Sequence, residues 1–248
     1  GKSEDLAADR KTIANDDLGL EGTRDLVARA ARAWPLRPGG AWYVCAPSGD
    51  METAFRFGLV DAEERLRQGI AWVKNAFVLG HQDYHYEHES ILYGWRAGAG
   101  HFWCGTRSES TVWRIDKPAR SADHPTMKPI ELVARAIRNS SVRGDVVFDG
   151  FGGSGTTLLA AHQLGRTARL VELSPGFCDV IVRRALELAG RDGRVFETTA
   201  LGRCWQEASA YRSTIPLEFF TRLLAHDWPR NVRELDKLAA EVATAIVH

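Results

Sequence analysis

Two carboxylates, Asp149 and Glu172, bracket the densest run of glycine in the chain. The run reads Val146-Val147-Phe148-Asp149-Gly150-Phe151-Gly152-Gly153-Ser154-Gly155-Thr156-Thr157. An apolar strand, a glycine turn and a helix start, in that order, make a nucleotide-type binding turn. Glycine lets backbone approach a ligand closely, and the helix N-terminus offers free N–H donors and a positive dipole end. Glu172 ends the next apolar stretch, Leu170-Val171-Glu172, the place where an acid accepts hydrogen bonds from the two hydroxyls of a ribose. A nucleoside suits this chemistry. Two cofactors fit it, since Gly150-Phe151-Gly152-Gly153-Ser154-Gly155 also satisfies the dinucleotide pattern of glycines literally. Asp149 tips the balance: a carboxylate there meets the cationic methionine part of S-adenosylmethionine, whereas it would repel a pyrophosphate.

The elements that must position this turn alternate. A helix is expected over 22–33, then a turn through Pro35-Leu36-Arg37-Pro38-Gly39-Gly40 and the apolar strand Ala41-Trp42-Tyr43-Val44-Cys45-Ala46. A second helix is expected over 51–68 and a second strand over 70–79. A third helix follows over 131–139, a strand over 145–149, a helix over 156–164, a strand over 168–172 and a helix over 177–189. Such alternation predicts an α/β fold of Rossmann-like type, a mostly parallel, doubly wound sheet covered on both faces. The aromatic, glycine-containing stretch 81–121 reads as one long loop, and loops of that length are usually functional.

Composition narrows the class. A chain of 248 residues with 44% hydrophobic and 26% charged residues is neither disordered nor a membrane protein, and it has room for one main core. With no apolar run of membrane length and no apolar signal segment at Gly1-Lys2-Ser3-Glu4-Asp5, a cytoplasmic protein is expected. The cysteines Cys45, Cys104, Cys178 and Cys204 are too scattered for a metal motif or disulfide framework. Net charge is zero, but residues 91–145 carry 9 Lys+Arg against 5 Asp+Glu. Arg107, Arg114, Lys117 and Arg120 are interleaved there with Phe102, Trp103 and Trp113, a mixture suited to phosphates and bases.

Together these residues resemble the DNA amino-methyltransferases, which modify the exocyclic nitrogen of adenine or cytosine. The order is that of the permuted β class: a recognition segment, then His124-Pro125-Thr126-Met127-Lys128-Pro129, then the glycine loop. Asp149 to Thr157 resembles the family's Asp-Pro-Phe-x-Gly-Ser-Gly-Thr-Thr, with Gly150 in place of the usual proline and Phe151, Gly153, Ser154, Gly155, Thr156 and Thr157 matching. The stretches Thr12 to Asp17, Trp72-Val73-Lys74-Asn75 and Gly80 to His85 look like the branch often found beside ParB-like nuclease domains. The resemblance implies that Thr126 and Lys128 contact S-adenosylmethionine, that Asp149 to Thr157 wrap its methionine part, and that Glu172 holds its ribose. It implies double-stranded DNA as partner, with Tyr84, His85, Arg107, Arg114, Lys117 and Arg120 in or beside a recognition segment over about 81–121. Adenine is preferred over cytosine as the expected target.

One departure bears on catalysis. The family's Asp-Pro-Pro-Tyr motif, expected before the first helix, is absent, and no two prolines are adjacent anywhere. No catalytic residue is therefore assigned, and the chain reads as the methyltransferase domain, 1–200, of an enzyme truncated at its N-terminus and inactive as it stands; the alternatives are a degenerate relative acting as a non-catalytic DNA- or cofactor-binding module, and an NAD-dependent oxidoreductase. His81, Asp83, His85, His88 and Glu89 are metal-ligand types at close spacing, but they read better as a loop beside a base pocket than as a metal site. Residues 201–248 read as a helical tail. Its Trp228-Pro229-Arg230-Asn231-Val232-Arg233-Glu234-Leu235 resembles a motif of enhancer-binding AAA+ activators, though no phosphate loop ending in Gly-Lys-Ser or Gly-Lys-Thr accompanies it.

Overall fold

The structure is a computed structural model that describes residues 18–77, 83–117 and 127–192. Its elements run α1 (Gly19–Arg32), β1 (Ala41–Ala46), α2 (Met51–Asp61), β2 (Leu66–Val73), β3 (His88–Trp95), β4 (Val112–Arg114), α3 (Ile130–Ser140), β5 (Val146–Asp149), α4 (Thr156–Gln163), β6 (Thr167–Leu170) and α5 (Pro175–Asp192). The expected tail, 201–248, lies outside the described residues.

Four strands form one sheet in the order β1-β3-β2-β4, and β5 pairs with β6 in a second, parallel one. β3 is antiparallel to both β1 and β2, while β4 is parallel to β2, so β1, β2 and β4 share one direction and β3 alone opposes them. Alternation along the strands divides the side chains between two faces. Trp42, Ala46 and Leu92 point towards α1 and α2, where they pack with Ala31 and Leu59. Ile70, Trp72, Ile91, Tyr93 and Trp113 point the other way and pack against Leu132 of α3. The sheet is thus covered on both faces, which is the doubly wound α/β arrangement.

α3 does a second job. Its Ala134 and Ile137 pack with Ala160 and Ala161 of α4, and Val147 and Ala168 of the parallel pair lie against the same cluster. One amphipathic helix therefore touches both sheets. Among the described residues, β1 pairs only with β3 and β5 only with β6.

Beyond shifts of a few residues at element ends, the structure departs from the sequence reading in three places. The expected helix over 51–68 stops at Asp61, because Glu63 adopts a left-handed φ of 61° and Glu64 N–H turns back to Leu59 C=O. Glu64 is then drawn inside: its carboxylate accepts from Trp42 Nε1 at 3.0 Å and from Arg96 Nε and Nη2 at 2.8 and 2.6 Å. The second strand consequently occupies Leu66–Val73 and not 70–79. The stretch expected as one long loop holds β3 and β4. Ile91, Leu92 and Tyr93 are buried in succession between α1/α2 on one side and α3 on the other, so β3 lacks the polar alternation that marks a half-exposed strand. Gly94 belongs to that strand because Trp42 lies over it: a Cβ there would come within 2.3 Å of the indole.

Candidate functional site

Within the four-stranded sheet β1, β2 and β4 deliver their C-terminal ends, and antiparallel β3 its N-terminal end, to one edge, and β5 and β6 share a C-terminal edge of their own. At that edge β5 ends on Asp149, and the backbone passes through Gly150 to Gly155 before α4 begins. Gly155 caps the helix at φ 78°, ψ 23°, with no side-chain cap. A residue with a Cβ is strained at that φ, and the Cβ would sit 3.1 Å from Ile181 of α5.

Both carboxylates singled out from the sequence hold this turn. Asp149 accepts from Phe151 N–H at 3.0 Å through Oδ1 and from the Thr157 hydroxyl at 2.6 Å through Oδ2. Glu172, just after β6, accepts from Gly153 N–H at 2.6 Å and from Ser174 N–H at 2.8 Å. A carboxylate oxygen has two acceptor sites, so each acid keeps capacity for a further donor. Ser154 and Thr156 are buried, and Thr156 Oγ1 donates to Lys128 C=O at 3.3 Å. That bond ties the segment before α3 to the start of α4. Phe151 stands out from the turn, 64% exposed. Beside Glu172, burial first and then the nearby carboxylate push the Cys178 thiol up to about 12.

The opposite wall joins Lys128, expected at the cofactor, to Lys74 and Glu89, to which the sequence reading assigned no cofactor role. Glu89, near the start of β3, pairs with Lys128 Nζ at 2.9 Å and Lys74 Nζ at 3.4 Å. Burial works to raise the Glu89 carboxyl, but the two ammonium groups outweigh it and hold the group below the usual carboxylate range. Lys128 also sits over the Trp72 ring, 5.6 Å from its centroid. The hydrogen bond from Thr156 Oγ1 to Lys128 C=O joins this wall to the glycine turn. The one available signal was Lys74 in Trp72-Val73-Lys74-Asn75. Nothing local marked Glu89 as its partner.

A cleft of about 680 Å³ opens between β4, the start of α3 and α5, with Arg114, Asp116, Lys128, Glu131 and Arg184 among its lining. Arg184 Nη1 donates to Ser154 C=O at 2.5 Å, so this cleft borders the glycine turn. Of the residues expected at DNA, Arg107, Arg114 and Lys117 are exposed, as is Tyr84. His85 stacks on Phe77 with ring centroids 5.4 Å apart. Thr126 and Arg120 lie outside the described residues. Among the described residues no group of three His, Cys, Asp or Glu is arranged to hold a metal ion, and no helix is long and apolar enough to cross a membrane.

Fold and site together define a Rossmann-like methyltransferase. The model of the N6/N4 methyltransferase family, described as DNA methylase, matches residues 23–183, and the chain belongs to that family. It is 31% identical over 119 residues to the type II methyltransferase M.Cfr9I of Citrobacter freundii, covering 48% of this chain and 37% of that protein. It is 32% identical over 88 residues to the type II methyltransferase M2.MboI of Moraxella bovis, covering 34% and 32%. The matched stretches thus span about a third of the length of these relatives. Among solved structures, the M1.HpyAVI complex with S-adenosylmethionine superposes with a TM-score of 0.57 at 24% identity, over 65% of this chain and 81% of that one. The cytosine-N4-specific PvuII DNA methyltransferase superposes with a TM-score of 0.54 at 13% identity, over 95% and 81%. At these identities the likeness is one of fold.

Proposed function

We propose that this chain supplies the S-adenosylmethionine site and the DNA-recognition surface of a DNA amino-methyltransferase of the permuted class. The reading rests on one observation: Asp149 and Glu172, from the ends of adjacent parallel strands, both bond backbone of the same glycine turn. That frame fits the cofactor. Glu172 accepts from the ribose hydroxyls, Asp149 faces the cationic amino-acid part, and the uncapped start of α4 directs N–H donors into the site. Phe151, Gly153, Ser154, Gly155, Thr156 and Thr157 shape the turn around it, Lys128 closes the side before α3, and Thr126, outside the described residues, is assigned to the cofactor as well. When bound, the cofactor supplies an electrophilic methyl group.

The acceptor in this reading is the exocyclic amine of a base flipped out of duplex DNA, adenine being the first target to test and cytosine the second. Exposed Arg107, Arg114 and Lys117 contact phosphates, and Arg120, outside the described residues, is assigned the same role, while Tyr84 and His85 border the base. The chemistry requires little beyond holding nitrogen and methyl in line at contact distance. The polar and aromatic groups of an Asp-Pro-Pro-Tyr motif do that in the family, and this sequence contains none, so turnover requires a segment that carries it.

Calorimetric titration with S-adenosylhomocysteine and with NADH tests the cofactor, on the chain and on an Asp149→Ala, Glu172→Ala double variant. Homocysteine-analogue binding that disappears in the variant supports the reading. Binding of NADH, or of neither compound, overturns it. Nucleoside analysis of a duplex treated with the chain and a segment bearing the motif then separates N6-methyladenine from N4-methylcytosine.

A further inference from the structure

Lys74 is a lysine where a lysine is expensive. Its side chain is only 4% exposed, and burial disfavours an ammonium group unless a counter-ion is at hand. The counter-ion is Glu89, but Glu89 is divided. One carboxylate oxygen lies 3.4 Å from Lys74 and the other 2.9 Å from Lys128, so two positive charges share one negative charge. The longer contact is the buried one. The surplus charge falls on Lys128, the outer member, 30% exposed and lining the cleft beside the glycine turn. Of the other charged groups lining that cleft, Glu131 is paired with Arg138, and Arg114, Asp116 and Arg184 add no net negative charge to cancel the surplus.

We infer that Lys74 and Glu89 are positioning residues that hold Lys128 at the cleft with its positive charge unspent, poised for an anionic oxygen of a ligand. Glu89 fixes the ammonium over the Trp72 ring, and Lys74, sealed beneath, draws on the same carboxylate so that Lys128 is never fully neutralised. The anionic oxygen is a carboxylate or a phosphate, from the amino-acid end of the cofactor or from the DNA backbone. This rests on the function proposed above.

The test uses the full chain, Lys74→Met and Lys128→Met singly and together, and Lys74→Gln, which keeps a hydrogen-bond donor without the charge. Each is titrated with S-adenosylhomocysteine, with methylthioadenosine, which lacks the amino-acid end, and with a short duplex at two salt concentrations. A charge acting through Lys128 predicts that Lys74→Met and Lys74→Gln each weaken one anionic ligand about tenfold, the magnitude of one charge-assisted bond. Methylthioadenosine binding stays unchanged, and the double variant loses no more than Lys128→Met alone. Loss confined to S-adenosylhomocysteine identifies the carboxylate; loss confined to the duplex, with a flatter salt dependence, identifies the phosphate. Equal loss for methylthioadenosine, additive losses in the double variant, or no loss overturns the inference. If the unaltered chain binds neither nucleoside, the cofactor reading fails by itself, and an unchanged duplex affinity in the Lys74 variants then overturns the inference as well.

Discussion

Asp149 and Glu172 were selected because acids at strand ends beside a glycine turn suit a nucleoside, and the structure shows each of them bonding backbone of that turn. They could be picked out from sequence because strand, turn and helix are contiguous, so the pattern is written within a short stretch. What the residue types did not reveal is that the acids also hold the turn in shape. Gly155 supports a direct test. Its left-handed backbone and the 3.1 Å approach of a Cβ to Ile181 predict that Gly155→Ala lowers unfolding free energy by about 1–2 kcal/mol. Urea denaturation measures this, and an unchanged midpoint would show that the turn relaxes without cost.

At the scale of elements, side chains from distant segments decide where helices and strands stop. Arg96 donates to Glu64 through two nitrogens and to the carbonyls of Ala31, Trp34 and Leu36. One guanidinium therefore ties the end of α1 and the following turn to the end of β3. Arg96→Ala leaves the buried Glu64 carboxylate without its cation, and a loss of about 3–5 kcal/mol is expected in equilibrium unfolding. A loss below 1 kcal/mol would mean that Trp42 and water suffice. Glu89 makes a pH prediction. Its folded-state pKa is depressed, so its contribution to stability is fully present above the unfolded carboxylate value and is lost as pH falls through that range towards the folded value. Stability measured from pH 7 down to 3 is expected to fall less steeply for Glu89→Gln than for the unaltered chain. Parallel curves would refute the coupling.

For the whole molecule, α3 is the joint. Leu132 packs on the four-stranded sheet, while Ala134 and Ile137 pack on α4 beside the parallel pair. Leu132→Ala and Ile137→Ala should each cost about 2–5 kcal/mol, and each should lower a single cooperative transition. Two separated transitions in either variant would show that the sheets unfold independently. The alternation of helices and strands, the glycine turn and its two acids were determined by the sequence itself, since each depends on residues near one another along the chain. Only the tertiary structure decided that β3 lies between β1 and β2, that Glu64 turns inward to Arg96, and that Glu89 divides its charge between Lys74 and Lys128. Those pairings join residues far apart in sequence. The physical reason is that periodicity reports which face of an element is apolar, whereas the partner that covers the face, or neutralises a charge upon it, is set by strand order and packing.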